Sequence, residues 1–135
     1  MENEKIYIGI GIALVLVWFW NKLRTRTVSA RDVFVIDGDT IGVRRKYLRP
    51  ERIRISNIDA GETRGIRSLW EGRKGQEAKK VLKDLVFFAE TIEIVSSGGK
   101  DRYGRTLARV RAISDNGKVD VGEYLRRRGL ARRWA

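Results

Sequence analysis

The chain has no cysteine and no histidine among its 135 residues, and a single proline. The first absence excludes disulfides, thiolate metal sites and a cysteine nucleophile. The second removes the usual imidazole base and the usual zinc ligand. Acid–base chemistry is left to carboxylates, lysine, tyrosine or water. A bound metal must be held by oxygen, which favours Ca²⁺ or Mg²⁺ over Zn²⁺ or Cu²⁺. Acids are also in the minority, 17 against 29 basic residues, for a net charge of +12. A field of that sign attracts polyanions, nucleic acid foremost, with a merely soluble basic protein or one lying on anionic lipid as the alternatives. The length suits one core, hence one folded domain plus an appendage.

What is present divides into zones. Residues 6–20 are an unbroken apolar run, with Tyr7 near one end and Trp18 and Trp20 at the other. At 1.5 Å per residue, roughly 15 residues reach about 22 Å, short of the ~30 Å hydrocarbon core. Asn21, Lys22 and Leu23 extend the run, because a lysine stem snorkels to the interface. The pattern predicts an uncleaved transmembrane helix. A signal peptide and a buried core helix are the alternatives, set against two acids in the first five residues and the absence of a small-x-small cleavage site. Lys22, Arg24, Arg26 and Arg31 on the C-terminal flank predict a cytoplasmic domain, with the exported side as the alternative. Residues 1–27 are then the anchor and its basic flank, and residues 28–135 the folded domain.

From 28 to 58 the chain reads as strands: Val33-Phe34-Val35-Ile36, a turn at Asp37-Gly38-Asp39, a strand resuming over 40–43, a turn at Pro50, and Ile53, Ile55 and Ile58. Residues 61–75 are polar and glycine-containing and predict a loop. The spacing of Ala78, Val81, Leu82, Leu85 and Val86 predicts a helix over 76–88. Strands follow over 91–95 and 107–113 with a turn at Asp115-Asn116-Gly117, then a helix over 121–128 stopped by Gly129. This order is α+β, a small barrel with helical additions.

Three polar strings carry candidate chemistry. Asp39 and Asp59 end strand-like runs, and two carboxylates with a carbonyl and water can hold a hard cation. Asp37-Gly38-Asp39-Thr40 is equally a hairpin turn. Glu62 is placed to take a proton from water, or to be a second metal ligand or a solvated acid. Arg54 and Arg105 offer planar forks that match phosphate oxygens, against a background of many solvated arginines.

Taken together, the strings resemble the staphylococcal-nuclease-like (thermonuclease) family over residues 28–131. The matching stretches are Val35-Ile36-Asp37-Gly38-Asp39-Thr40, Ile53-Arg54-Ile55, Ile58-Asp59-Ala60-Gly61-Glu62, Gly75-Gln76-Glu77-Ala78, Asp101-Arg102-Tyr103-Gly104-Arg105-Thr106-Leu107-Ala108 and Gly129-Leu130-Ala131. The resemblance implies a five-stranded OB-fold barrel with flanking helices and Ca²⁺-dependent, low-specificity endonuclease cleavage of DNA and RNA. It implies Asp39, Asp59 and the carbonyl of Ala60 as metal ligands, with Asp37 in the outer shell. It makes Glu62 the general base or a water-orienting group, and Arg54 and Arg105 the phosphate ligands that stabilise the transition state. One departure is Gly61, where the family usually has proline; glycine loosens the loop that aims Glu62. The expected protein is a membrane-anchored monomer. A barrel that binds nucleic acid without cutting it, and a basic domain lying on anionic lipid, are the alternatives.

Overall fold

A computed structural model describes residues 2–60 and 69–133. Helix α1 (Glu2–Arg24) runs directly into strand β1 (Thr25–Ser29), and a turn of 3-10 helix at Ala30–Asp32 separates β1 from β2 (Val33–Asp37). Strands β3 (Thr40–Val43), β4 (Glu51–Ile55) and β5 (Ile58–Asp59) precede helix α2 (Leu69–Phe88). Strands β6 (Thr91–Lys100), β7 (Thr106–Ser114) and β8 (Gly117–Asp120), helix α3 (Val121–Arg127) and strand β9 (Arg132–Arg133) complete the chain. The fold is mixed α+β and OB-like.

Six strands form one path in the order β1-β6-β7-β4-β3-β2; β8 branches from β7, and β5 pairs with β9. The β4–β7 pairing is parallel and the others are antiparallel. The expected closed barrel is not present as a hydrogen-bonded ring among the described residues, because β1 and β2 form no ladder with each other. The reason is the 3-10 turn. It splits one bent strand, so that β1 pairs with β6 and β2 with β3, while Ala30 N–H donates to the Glu90 carbonyl (3.1 Å) and Arg44 N–H to the Asp32 carbonyl (2.7 Å). The two ends of the sheet are thus joined by the chain itself.

The core is aliphatic. Ile41, Ile53, Ile55, Ile92, Ile94 and Val110 from the sheet meet Ala78, Leu82 and Val86 of α2, and Val121 and Leu125 of α3. The helical spacing read from the sequence therefore marks the buried face of α2, with Val81 and Leu85 at its margin. Two boundaries differ from expectation. α2 starts at Leu69, inside the expected loop over 61–75, and β6 continues through Ser96-Ser97-Gly98-Gly99 to Lys100 with a register shift. Strand β8 was not expected; cross-strand pairing with β7 overrides the weak propensity of Gly117-Lys118-Val119-Asp120. The end of α3 follows the expected form: Gly129 takes φ 69°, its N–H donates to Arg126, and Leu130 N–H reaches back to Leu125.

Over residues 7–20 α1 is apolar on all sides, and Tyr7, Ile8, Leu14, Leu16, Trp18 and Trp20 are each more than half exposed. Among the described residues, no helix is long and apolar enough to cross a membrane.

Candidate active site

The site is built on the β2–β3 turn, the β4–β5 turn and the segment entering β7. A bulge at Ile36 shifts the β2–β3 register between Val35 and Asp37, just ahead of the turn. Gly38 is required there by close approach. A Cβ on it would lie 3.0 Å from Ala78 Cβ, 3.1 Å from Ala60 Cβ and 3.3 Å from the Gly75 carbonyl. The turn is therefore clamped between α2 and the residue that follows Asp59. Ile55 N–H donates to the Asp39 carbonyl at 2.8 Å, fixing the turn to the end of β4.

Arg54 is the centre of the arrangement. It sits opposite Thr40 on β3 and Leu107 on β7, and it is buried although charged. Its Nη1 donates to the carbonyls of Ile55 and Ile58, both at 2.7 Å. Its Nη2 lies 3.3 Å from Asp39 Oδ2 and 3.2 Å from Asp59 Oδ1. One guanidinium thus ties two carboxylates that stand 20 residues apart in sequence. Asp39 is buried and also accepts from Thr40 Oγ1 (2.9 Å) and Ala60 N–H (3.3 Å), whereas the Asp59 side chain is 54% exposed. The β5–β9 pair, with Asp59 opposite Arg132, holds the backbone that carries Asp59.

Arg105 arrives from the other side. Asp101 Oδ1 accepts from the backbone N–H groups of Tyr103 and Arg105, each at 2.9 Å, and its Oδ2 accepts from Arg105 Nε at 2.6 Å. Arg105 Nη1 then donates to Thr40 Oγ1 at 3.3 Å, the same hydroxyl that donates to Asp39. Burial pushes the Asp101 carboxyl up, but the hydrogen bonds from Arg105 and Tyr103, with the Arg105 charge, outweigh it and hold the group below its ordinary value. Asp101 therefore stays ionised and keeps Arg105 in place. Among the described residues Arg105 Nη2 has no hydrogen-bond partner, which leaves a donor for a phosphate oxygen.

Of the residues expected from the sequence, Asp39, Arg54, Asp59, Ala60 and Arg105 come together. Asp37 lies beside them at the end of β2, its Oδ1 accepting from Gly38 N–H at 3.1 Å. Glu62 and Gly61 lie outside the described residues. The sequence reading did not single out Thr40, which links Arg105 to Asp39, or Asp101, which aims Arg105. The signal for the latter was available: an acid four residues before an arginine around a glycine turn is a local ion pair.

The donor set suits a hard cation, being all oxygen and carrying two carboxylates. Among the described residues no three acidic, imidazole or thiol side chains gather into a metal cluster, so carbonyls, water or phosphate oxygens must complete any such site.

Residues 52–135 match the family described as staphylococcal nuclease homologue, a segment running from within β4 to the C-terminus; β1–β3, with Asp37 and Asp39, precede it. A Haemophilus influenzae protein named as an uncharacterized endonuclease is 37% identical over 93 residues, covering 69% of this chain and 47% of that protein. Endonuclease YhcR of Bacillus subtilis is 35% identical over 88 residues, covering 62% of this chain and 7% of that protein. The chain therefore spans less than half the length of either relative. With the family match covering more than half of its residues, the chain belongs to the staphylococcal nuclease homologues.

Proposed function

We propose that the protein is a membrane-anchored, calcium-dependent endonuclease of low sequence specificity that hydrolyses phosphodiester bonds of DNA or RNA as a monomer. The observation that carries this reading is the convergence of two guanidiniums and two carboxylates around Thr40 and Arg54. Both relatives are named endonucleases, which supports the reaction class.

Asp39, Asp59 and the carbonyl of Ala60 would hold Ca²⁺, with Asp37 outside them. The ion would add positive charge where the phosphate accumulates negative charge. The chain's own residues divide the remaining work. Arg54, whose Nη donors are held by two carbonyls and two carboxylates, would fix the two metal-ligating carboxylates in place and would have to give up one of these contacts to reach a phosphate oxygen. Arg105 offers its remaining fork to a phosphate oxygen. Glu62 takes the proton of the attacking water as the new P–O bond forms and the bond to the leaving sugar oxygen breaks. Affinity rests on phosphate contacts and falls steeply with salt.

Incubation of the full chain with plasmid or single-stranded DNA and Ca²⁺, with EDTA as control, tests the reaction. Binding without cleavage would remove the enzyme reading. A Glu62→Gln variant with full activity would remove the base assignment alone.

Although no helix of the described residues has the length and apolarity of a full span, we read α1 as the anchor, with residues 1–27 as anchor and basic flank and 28–135 as the nuclease domain. Support comes from the unbroken apolar run and its all-round exposure. Because the basic flank follows α1, the domain faces the cytoplasm. Removal of the domain by protease applied outside intact cells would reverse that assignment.

A further inference from the structure

We propose that the tip of the β3–β4 hairpin, residues 44–49, is a second membrane contact, which lies on anionic lipid headgroups and orients the domain on the bilayer. The inference rests on the reading of α1 as an anchor. It starts from strand directions. β1, β4 and β7 begin, and β3 and β6 end, at the same end of the sheet. That is the end at which α1 enters. Two contacts tie the pieces together there. The Arg24 guanidinium packs against Gly98 near the end of β6, where an added Cβ would lie 3.2 Å from Nη2. Arg26 pairs with Glu51, the first residue of β4 after the hairpin tip.

The chemistry of the tip fits a headgroup surface. Its sequence is Arg44-Arg45-Lys46-Tyr47-Leu48-Arg49, and every one of these residues is exposed. None of the four cations pairs with a carboxylate among the described residues, and the acid at the base of the hairpin, Glu51, is taken by Arg26. Between the cations stand Tyr47, 86% exposed, and Leu48, 66% exposed. An aromatic and an aliphatic side chain flanked by cations suit the headgroup layer: the charges meet lipid phosphates while the apolar pair enters the interface.

Nucleic acid would meet the same cations. The Arg54 cluster, however, sits at the other end of this hairpin, beside the Thr40–Arg54 pair, while the tip follows the Val43–Glu51 pair. Three residue steps separate the two, about 10 Å along the strands before the loop begins. Tyr47 offers a base a face to stack on, whereas Leu48 offers none and suits the acyl interface. Seating the tip on lipid leaves the Asp39–Arg54–Asp59 cluster at the opposite end of the hairpin, while the Arg105 segment that enters β7 lies at the tip's end of the sheet.

The absence of cysteine makes single labels simple. Tyr47→Cys, Trp20→Cys and Asp115→Cys variants of the full chain, each carrying an environment-sensitive thiol-reactive fluorophore, are placed in vesicles of phosphatidylcholine with or without phosphatidylserine. Nitroxide-labelled lipid is the quencher. The label at position 47 should be quenched several-fold more with phosphatidylserine than without, and the label at 115, on the turn at the far end of β7, should be quenched in neither. Shortening the Debye length from about 10 Å to about 3 Å with salt should abolish quenching at 47 and leave that at 20. Adding Arg45→Glu and Lys46→Glu to the Tyr47→Cys variant should lower the docked population by roughly fivefold or more per charge.

Quenching at 20 but not at 47 overturns the proposal and leaves the anchor standing. Quenching at 47 but not at 20 supports the surface and removes the anchor. Quenching at neither removes both. A label at 47 that ignores lipid but responds to single-stranded DNA overturns the proposal in favour of a nucleic-acid contact.

Discussion

Two charge clusters on this sheet, each centred on a buried residue, have opposite stoichiometry. At Glu93, one carboxylate is held by two cations, Arg111 Nη1 and Lys118 Nζ, both at 2.8 Å. At Arg54, one guanidinium is shared by two carboxylates, Asp39 and Asp59. In a chain of net charge +12 the first arrangement is the cheap one, because cations are plentiful and the single acid is fully satisfied. The second gathers scarce acids around a single cation and leaves one of them, Asp59, more than half open to solvent. Glu93 ties β6 to β7 and β8. Asp39 has both oxygens engaged by Thr40, Ala60 and Arg54, whereas among the described residues Asp59 is held by Arg54 alone.

The sharpest way to break this contrast is Arg54→Ala. It strips donors from the Ile55 and Ile58 carbonyls and leaves Asp39 buried without its cation. Stability should fall by about 3 kcal/mol and cleavage by roughly 10²–10³-fold, read by denaturant unfolding and a plasmid assay. Arg54→Lys restores the charge but not the fork, so it should recover stability better than activity.

Asp59→Asn should separate the two properties. Its side chain is exposed enough that unfolding should shift by no more than about 0.5 kcal/mol. Cleavage should drop by about 10²-fold or more, on the scale of a lost charge-stabilising interaction. A variant that loses stability but keeps cleavage would reverse the roles assigned to the clusters.

Glu93→Gln should do the opposite. Because Arg111 and Lys118 are about a third and a half exposed, solvent screens the pairs, and the loss should be about 1–2 kcal/mol. Cleavage by the folded variant should not change.

The smallest effect is the pH dependence. The Lys118 hydrogen bond, with Arg111 beside it, outweighs burial and holds the Glu93 carboxyl below its ordinary 4.5. Burial pushes Glu51 up, but Arg26 outweighs it and the net direction is also downward. A depressed carboxyl pKa stabilises the fold fully above the unfolded value, and that contribution is lost as pH falls through the folded value. The melting temperature should therefore be insensitive to these two groups between pH 7 and about 5 and decline below 4.5. Glu93→Gln should flatten part of that decline.

Much of the architecture was legible locally. The period of Ala78, Leu82 and Val86, the run over 33–36 and the Gly129 stop rest on side-chain spacing and backbone conformation, which act over a few residues. Less legible were the bent first strand, strand β8 and the early start of α2. Each depends on a partner elsewhere: β6 and β3 for the bend, β7 for β8, and the Gly38 turn against which the first half of α2 packs.

The site shows the same division. By itself the sequence determined the kind of chemistry, since a chain without thiol or imidazole can only work with oxygen, guanidinium and amine, and a surplus of 12 positive charges selects a polyanion. Spacing also brought Arg54, Asp59 and Ala60 into one short segment. Only the tertiary structure decided that Asp39 and Arg105, 66 positions apart, meet at Thr40. That meeting needs the antiparallel β3–β4 register and the parallel β4–β7 register together. Register is set by burying Ile41, Ile53, Ile55 and Ala108 in one core, and a slip of one residue would turn Arg54 and its partners to opposite faces.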